Sequence, residues 1–121
     1  MKQILGLITL AALVGCDSGD DTAPVTSTSQ AVHRLDKAFA GAPENFRRAA
    51  TDASNALNAG ELGKAVESLG ALRTSEGVTV DQGLAVHNTM VMLEATLLER
   101  AEAGDAEARK AYGMLRQLKQ K

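Results

Sequence analysis

The chain has 121 residues, a formal net charge of −2 and a hydrophobic content of 45%. This length suits one small domain, and the near-neutral charge argues against a dedicated nucleic-acid binder. The aromatic residues Phe39, Phe46 and Tyr112 are too scattered to form a base-stacking platform. Because Cys16 is the single cysteine, the chain cannot form an internal disulfide.

The first 16 residues read as a secretion signal. Lys2 supplies a positive charge, and residues 4–13 form an apolar run. A bilayer-spanning helix needs about 20 apolar residues, so this run is too short to be one. The signal ends in Leu13, Val14, Gly15 and Cys16. These four residues resemble the lipobox of bacterial lipoproteins, which has an aliphatic residue, a tolerant position, a small residue and then a cysteine.

The lipobox resemblance implies that the Cys16 thiol is alkylated with diacylglycerol and that residues 1–15 are removed. Two or three acyl chains hold a protein stably on a membrane, whereas one chain binds marginally. The resemblance therefore implies a lipid-anchored protein of the bacterial cell envelope. Asp17 is similar to a signal that retains lipoproteins in the inner membrane of enterobacteria, but the rule differs between bacterial groups. The choice between inner and outer membrane stays open.

Two alternatives to the lipobox interpretation exist. An ordinary secreted protein could carry a stray cysteine near its cleavage site. The apolar run could also belong to a buried helix of a cytosolic protein. That interpretation would have to account for the abrupt change to polar residues at Asp17.

Residues 16–28 are expected to comprise the lipidated cysteine and a flexible acidic linker. They are rich in Ser, Thr and Asp and lack any apolar period. Asp17, Asp20 and Asp21 superficially resemble half of a calcium loop. Their spacing does not match the calcium-binding pattern and no glutamate closes it, so we expect a solvated linker.

Residues 29–121 are predicted to form a small all-α domain, a short helix followed by two antiparallel helical hairpins. A Ser-x-x-Gln capping box at Ser27 starts the short helix, which should stop near Gly41. Pro43 suits the first turn of the second helix, and Gly60 suits its left-handed end. Apolar residues at three- and four-residue spacing give each helix one inner stripe.

The second hairpin is predicted from a capping box at Thr79, which starts the longest helix at about residues 80–103. Gly104 should end this helix, and Asp105 should cap the last one. The turns at residues 58–61 and 102–105 are alike, which suggests a weak internal repeat. The inner stripe of the long helix is expected to contain Leu84, Val86, Met90, Val91, Leu93, Leu97 and Leu98.

The turn of the first hairpin resembles the second half of a tetratricopeptide repeat. The residues that carry this resemblance are Gly60, Glu61, Leu62, Ala65, Val66, Leu69 and Leu72. In that family the glycine permits a tight turn, and a small residue at the place of Ala65 lets two helices touch. The chain departs from the family by lacking a bulky residue near Ala49 and a closing proline. The resemblance implies tetratricopeptide-like hairpins, and a generic small bundle is the alternative.

No pattern in the sequence points to catalysis. His33 and His87 have no partner at metal-ligand spacing on their helices. The chain lacks a serine-nucleophile motif, a phosphate loop and a dinucleotide fingerprint. We therefore expect a protein that is not an enzyme and that holds neither a metal nor a cofactor.

The basic last helix is the candidate interaction surface. Its cations are Arg109, Lys110, Arg116, Lys119 and Lys121. They would complement the helix dipole and aid solubility, or they would contact anionic lipid headgroups or an acidic partner. The methionines Met90, Met92 and Met114 would either fill the core or line an adaptable groove.

Together these patterns predict an envelope lipoprotein whose helical hairpins act as a non-enzymatic protein-interaction or structural module. Its expected partners are the membrane, through the lipid on Cys16, and a protein. The alternative is an accessory lipoprotein that binds a peptide or lipid in a groove between the hairpins.

Overall fold

The computed structural model of the protein describes residues 25–120, so the lipobox and Cys16 lie outside the described residues. Within that range the chain forms helices and no strand, which confirms the predicted all-α class. The helices are α1 (Thr28–Phe39), α2 (Glu44–Ala59), α3 (Leu62–Arg73), α4 (Val80–Glu102) and α5 (Ala106–Lys119).

Side-chain caps start α1, α4 and α5 where the sequence predicts them, whereas α2 and α3 begin without one. At α4 the capping box is complete: Thr79 Oγ1 accepts from the Gln82 amide at 3.1 Å, and Gln82 Oε1 accepts from the Thr79 amide at 3.0 Å. At α1 only half of the box forms, because the Gln30 side chain accepts from the Thr26 amide rather than from Ser27. Asp105 caps α5 by accepting from two backbone amides.

Two left-handed glycines close the hairpins, as predicted. Gly60 has φ 77° and Gly104 has φ 101°. In both turns the next amide reaches back five residues, from Glu61 to the Ala56 carbonyl at 2.8 Å and from Asp105 to the Arg100 carbonyl at 3.0 Å. These bonds satisfy carbonyls that the helix ends would leave unpaired. The two turns are therefore alike in backbone geometry as well as in sequence.

Four of the helices form a closed ring. α1 packs on α2, α2 on α3, α3 on α4, and α4 on α1. Across the ring, the described residues of α2 and α4 make no contact, and neither do those of α1 and α3. α5 packs outside the ring against α3 and α4. The arrangement is compatible with a small bundle of helical hairpins, in which α1 lies between the first helices of the two hairpins.

Large aliphatic side chains and one aromatic ring fill the core. The largest fully buried ones are Phe39, Leu35, Leu69, Leu72, Leu93, Leu97 and Leu115. Alanines are buried in the first hairpin, where Ala53 and Ala65 are both 0% exposed. Small residues let helix axes approach closely, so few large side chains suffice for a continuous core.

The predicted inner stripe of α4 is wrong at Val91 and Leu98, and Leu84, on the same side of the helix, is only half-buried. Val91 is 50% exposed and Leu98 is 40% exposed, although both have helical spacing to apolar neighbours. The buried side of α4, which includes Val86 and Leu93, already contacts three helices. Val91 and Leu98 point to the opposite side, so α4 is apolar inside and outside.

The folded domain begins ahead of the boundary expected at residue 29. Val25 is only 8% exposed and belongs to the core. Thr26 donates hydrogen bonds from its amide and its hydroxyl to Gln30 Oε1. Residues 25–28 therefore contribute to packing and to the start of α1.

Candidate functional site

The position of α5 creates two distinct surfaces. One side of this helix faces α3, and another side faces α4. The space between α3 and α5 is a groove that separates the two hairpins, and we call it the hairpin groove. Its lining comes from residues 60–74 on one wall and residues 105–118 on the other, with Leu97 and Arg100 of α4 at the base.

One end of the hairpin groove lies beside the two hairpin turns and carries charge. This end is a cleft of about 410 Å³. Lys64, Glu67, Arg100 and Lys110 line it, and the buried Leu97 forms part of its floor. Lys64 Nζ lies 3.3 Å from Glu61 Oε2, and both side chains are largely exposed. This end therefore offers both signs of charge around an apolar floor.

The other end of the hairpin groove is more apolar. This cleft of about 420 Å³ is lined by Val66, Ala71 and Leu118, among others. Glu67 and Met114 line both clefts, so the two clefts are neighbours. Apolar walls with a few polar groups are typical of surfaces that bind small molecules or side chains of a peptide.

Gly70 brings α3 and α5 close together at this apolar end. A Cβ atom added at Gly70 would lie 2.8 Å from Leu118 Cδ1, too close for ordinary packing. Gly70 therefore marks a close approach of the two helices. Gly63 differs, because an added Cβ would meet no atom within 4 Å.

Arg73 joins the two walls where α3 and α5 end. Its Nη1 donates a hydrogen bond to the Leu118 carbonyl, 45 residues away along the chain. That carbonyl belongs to the last turn of α5, where carbonyls lack helical partners. Sequence reasoning missed this bond, because nothing local in the sequence relates Arg73 to Leu118.

The structure divides four of the five candidate cations between the two sides of α5, and the fifth, Lys121, lies outside the described residues. Lys110 lines the charged end of the hairpin groove. Arg109, Arg116 and Lys119 lie on the side next to α4. Lys119 Nζ is 2.8 Å from Glu94 Oε1, and Arg109 Nη2 donates to the Ala101 carbonyl at 3.5 Å.

Arg116 stacks on its own helix rather than on α4. Its guanidinium carbon lies 5.9 Å from the centre of the Tyr112 ring. Arginine in this position is attracted to the face of the ring. The stack holds the guanidinium beside Glu94 and Lys119, which line the same shallow cleft.

The histidines and methionines take different places. His33 and His87 are exposed, and the Glu94 carboxylate that shares a helix with His87 is paired with Lys119. In the described part of the chain, no group of three or more His, Cys, Asp or Glu residues could hold a metal ion. Met90 is 5% exposed and fills the core, whereas Met114 is half-buried and lines the groove.

None of α1 to α5, the helices of the described residues, combines the length and apolar character that crossing a bilayer requires. Comparison of the chain with protein-family models, with curated proteins and with solved structures finds no match in any of the three.

Proposed function

We propose that the chain is a lipid-anchored, non-enzymatic interaction module of the bacterial cell envelope. The lipobox resemblance at Leu13, Val14, Gly15 and Cys16 supports the anchor. The hairpin groove supports the interaction role. It consists of two neighbouring clefts with apolar walls, one of them also lined by charged side chains, which suits a segment of a partner protein better than it suits catalysis.

The hairpin groove is the observation that carries the interaction role. Its two clefts are neighbours that share Glu67 and Met114, so a helical or extended peptide could contact both. Apolar side chains of the partner would occupy the end near Ala71 and Leu118. Charged side chains would meet Lys64 and Lys110 at the other end.

The alternative is an accessory lipoprotein that binds a small peptide or a lipid in the same groove. The apolar lining at Val66, Ala71 and Leu118 favours this alternative. Native mass spectrometry of the purified chain distinguishes the two possibilities. A small ligand that co-purifies with the chain supports the alternative. A chain that purifies without ligand and captures a protein from its native membrane supports the interaction module.

Replacement of Cys16 by serine tests the anchor. Cys16→Ser removes the thiol that would carry diacylglycerol, and we expect the variant to leave the membrane fraction. Cell fractionation with immunoblotting measures the change. If the variant stays in the membrane fraction as fully as the parent, the lipoprotein assignment is wrong.

A charge placed in the hairpin groove tests the interaction role. Ala71 is exposed and lines the apolar end, so Ala71→Glu adds a carboxylate there without burying it. Asn45→Glu adds the same side chain on the exposed side of α2 and is the matched control. After cross-linking in native membranes, we expect the partner to be recovered with the parent and Asn45→Glu, and to be depleted with Ala71→Glu. Equal recovery from all three would exclude the groove as the binding site.

A further inference from the structure

The outward side of α4 is an exposed apolar surface. Five residues form it, and we call it the α4 outer face: Val80, Leu84, Val91, Ala95 and Leu98. Their spacing places them on one side of the helix. The surface runs from Val80 to Leu98, 18 steps along α4, which corresponds to roughly 27 Å at 1.5 Å per residue. Val80, at 86% exposed, and Val91, at 50%, are among the most exposed large apolar side chains of the described residues.

This face is not explained by the packing of the domain. α4 already buries Val86, Leu93 and Leu97 on its opposite side. A helix that is apolar on both sides ordinarily contacts a second apolar environment. Contiguous exposed apolar patches on soluble domains mark surfaces that meet a membrane or another protein.

Cationic side chains border the α4 outer face on both sides. On the α1 side, Arg34 and Lys37 line a small cleft together with Leu84. On the α5 side, Arg116 and Lys119 line a shallow cleft with Tyr112. An apolar strip bordered by Lys and Arg, with an amphipathic tyrosine at its edge, is typical of helices that lie at the interface of an anionic bilayer.

Three of the four carboxylates of α4 lie near its ends. Asp81 lies in the first turn, and Glu99 and Glu102 lie in the last two turns. Glu94 is the one carboxylate between them, and the Lys119 ammonium neutralises it at 2.8 Å. The titratable group next to Val91 on this side is His87, which is exposed. Anionic headgroups would therefore meet cations along the borders and few unpaired carboxylates at the centre.

The length of the tether lets this face reach a membrane. Eight residues separate Cys16 from Val25. A chain of eight residues spans at most roughly 28 Å. The tether joins the domain at α1, and α1 borders the α4 outer face. A lipidated Cys16 would thus hold the domain close to the bilayer with this face within reach of it.

A second copy of the chain is a poorer occupant. In an antiparallel two-fold pairing through α4, each cationic border would face its own counterpart on the other copy. In a parallel pairing, the α1 border, with Arg34 and Lys37, would face the α5 border, with Arg116 and Lys119. At each border the two cations outnumber the one carboxylate in the same cleft, Asp81 on the α1 side and Glu94 on the α5 side. Both arrangements therefore place two borders of net positive charge together, which disfavours association.

We propose that the α4 outer face docks on the anionic surface of the bilayer, so that the domain lies against the membrane and does not extend away from it. This inference rests on the proposed lipid anchor for its orientation. It leaves the hairpin groove, on another side of α5, accessible to a partner. The partner would then meet the groove near the membrane surface.

The test measures contact between α4 and lipid in the full-length lipidated chain. Val91→Cys introduces one free thiol for a fluorescent label, since Cys16 is occupied by lipid. Asn55→Cys places the same label on the exposed side of α2, which has no contact with α4 among the described residues. Vesicles contain lipids brominated on their acyl chains, with either an anionic phospholipid or phosphatidylcholine alone.

We expect bromine quenching at Val91 to exceed that at Asn55 several-fold on anionic vesicles and to fall on phosphatidylcholine. Leu98→Glu, at an exposed position, should reduce the quenching at Val91, whereas Asn45→Glu should not. Equal quenching at Val91 and Asn55 would overturn the proposal. Concentration-dependent energy transfer between Val91 labels, without quenching by lipid, would show a second copy on this face and would also overturn it.

The same measurement on a Cys16→Ser background separates docking from anchoring. Salt-sensitive quenching at Val91 in that variant would support docking even if cell fractionation shows that Cys16 is not the anchor. Loss of the selective quenching in the lipidated chain would refute docking while leaving the anchor intact.

Discussion

At the scale of single residues, two glycines of the second hairpin show how the backbone decides what a glycine contributes. Gly104 has φ 101° in the turn, whereas Gly113 lies in the interior of α5 on its exposed side. A Cβ atom added at either position would meet no atom within 4 Å. Substitution by alanine therefore changes backbone energetics at both sites without changing packing.

Gly113→Ala should raise the free energy of unfolding by about 0.5–1 kcal/mol, because alanine restricts the unfolded chain and favours the helix. Gly104→Ala should lower it by about 1–2 kcal/mol, because a left-handed conformation is costly for a residue with a Cβ atom. Urea denaturation of both variants in a Cys16→Ser background measures the difference. Changes of the same sign would show that backbone conformation does not control these sites.

At the scale of helices, Gln82 links the start of α4 to the end of α1. Its Oε1 accepts from the Thr79 amide, and its Nε2 donates to the Ala38 carbonyl at 3.2 Å. The residue is 8% exposed. One buried side chain thus completes a helix cap and joins two helices, through a bond between residues that are 44 positions apart in the chain.

Gln82→Glu should lower the free energy of unfolding by about 1–3 kcal/mol. The carboxylate keeps the acceptor for Thr79 but loses the donor, which leaves the Ala38 carbonyl opposite an oxygen. Gln30→Glu is the matched control, since Gln30 is exposed and its Oε1 serves as an acceptor for Thr26. We expect its effect to stay within about 0.5 kcal/mol. If chemical denaturation shows equal effects, the Gln82–Ala38 bond contributes nothing to stability.

The same scale shows what the sequence can and cannot predict. Local rules found the helix starts at Thr79 and Asp105 and the turns at Gly60 and Gly104, because caps and left-handed turns depend on residues a few positions apart. The exposure of Val91 was not predicted. Helical spacing places a residue on one face of a helix but does not show which faces pack against other helices.

The hairpin groove was not predictable in detail for a related reason. Its close contact between Gly70 and Leu118 and the bond from Arg73 to the Leu118 carbonyl join distant parts of the chain. The number of cations in the last helix predicts a basic helix but not what each cation contacts. Lys110 lines the hairpin groove, whereas Arg116 and Lys119 line a cleft beside α4.

At the scale of the whole molecule, α1 closes the ring. It contacts both α2 and α4, and these two helices have no contact with each other in the described structure. α1 contributes Leu35 and Phe39, which are 0% and 1% exposed. Full burial of such side chains stabilises by about 1.5–3 kcal/mol each, a large share of the 5–15 kcal/mol typical of a small domain.

Ring closure predicts that both hairpins depend equally on α1. Phe39→Ala should lower the free energy of unfolding by about 3–5 kcal/mol through the cavity it leaves. Since α1 touches both hairpins, hydrogen exchange of buried amides should accelerate in α3 and in α5 alike. Hydrogen exchange with fragment-resolved mass spectrometry provides the measurement.

The half-buried Phe46 gives the matched control, because Phe46→Ala removes the same side chain outside the centre of the core. Its effect should be smaller. In a linear array of repeats, stability is approximately a sum of local terms. Loss of the Phe39 side chain would then destabilise mainly the adjoining hairpin. Faster exchange confined to α2 and α3 would therefore indicate an open array, whereas equal acceleration in both hairpins would follow from the closed ring.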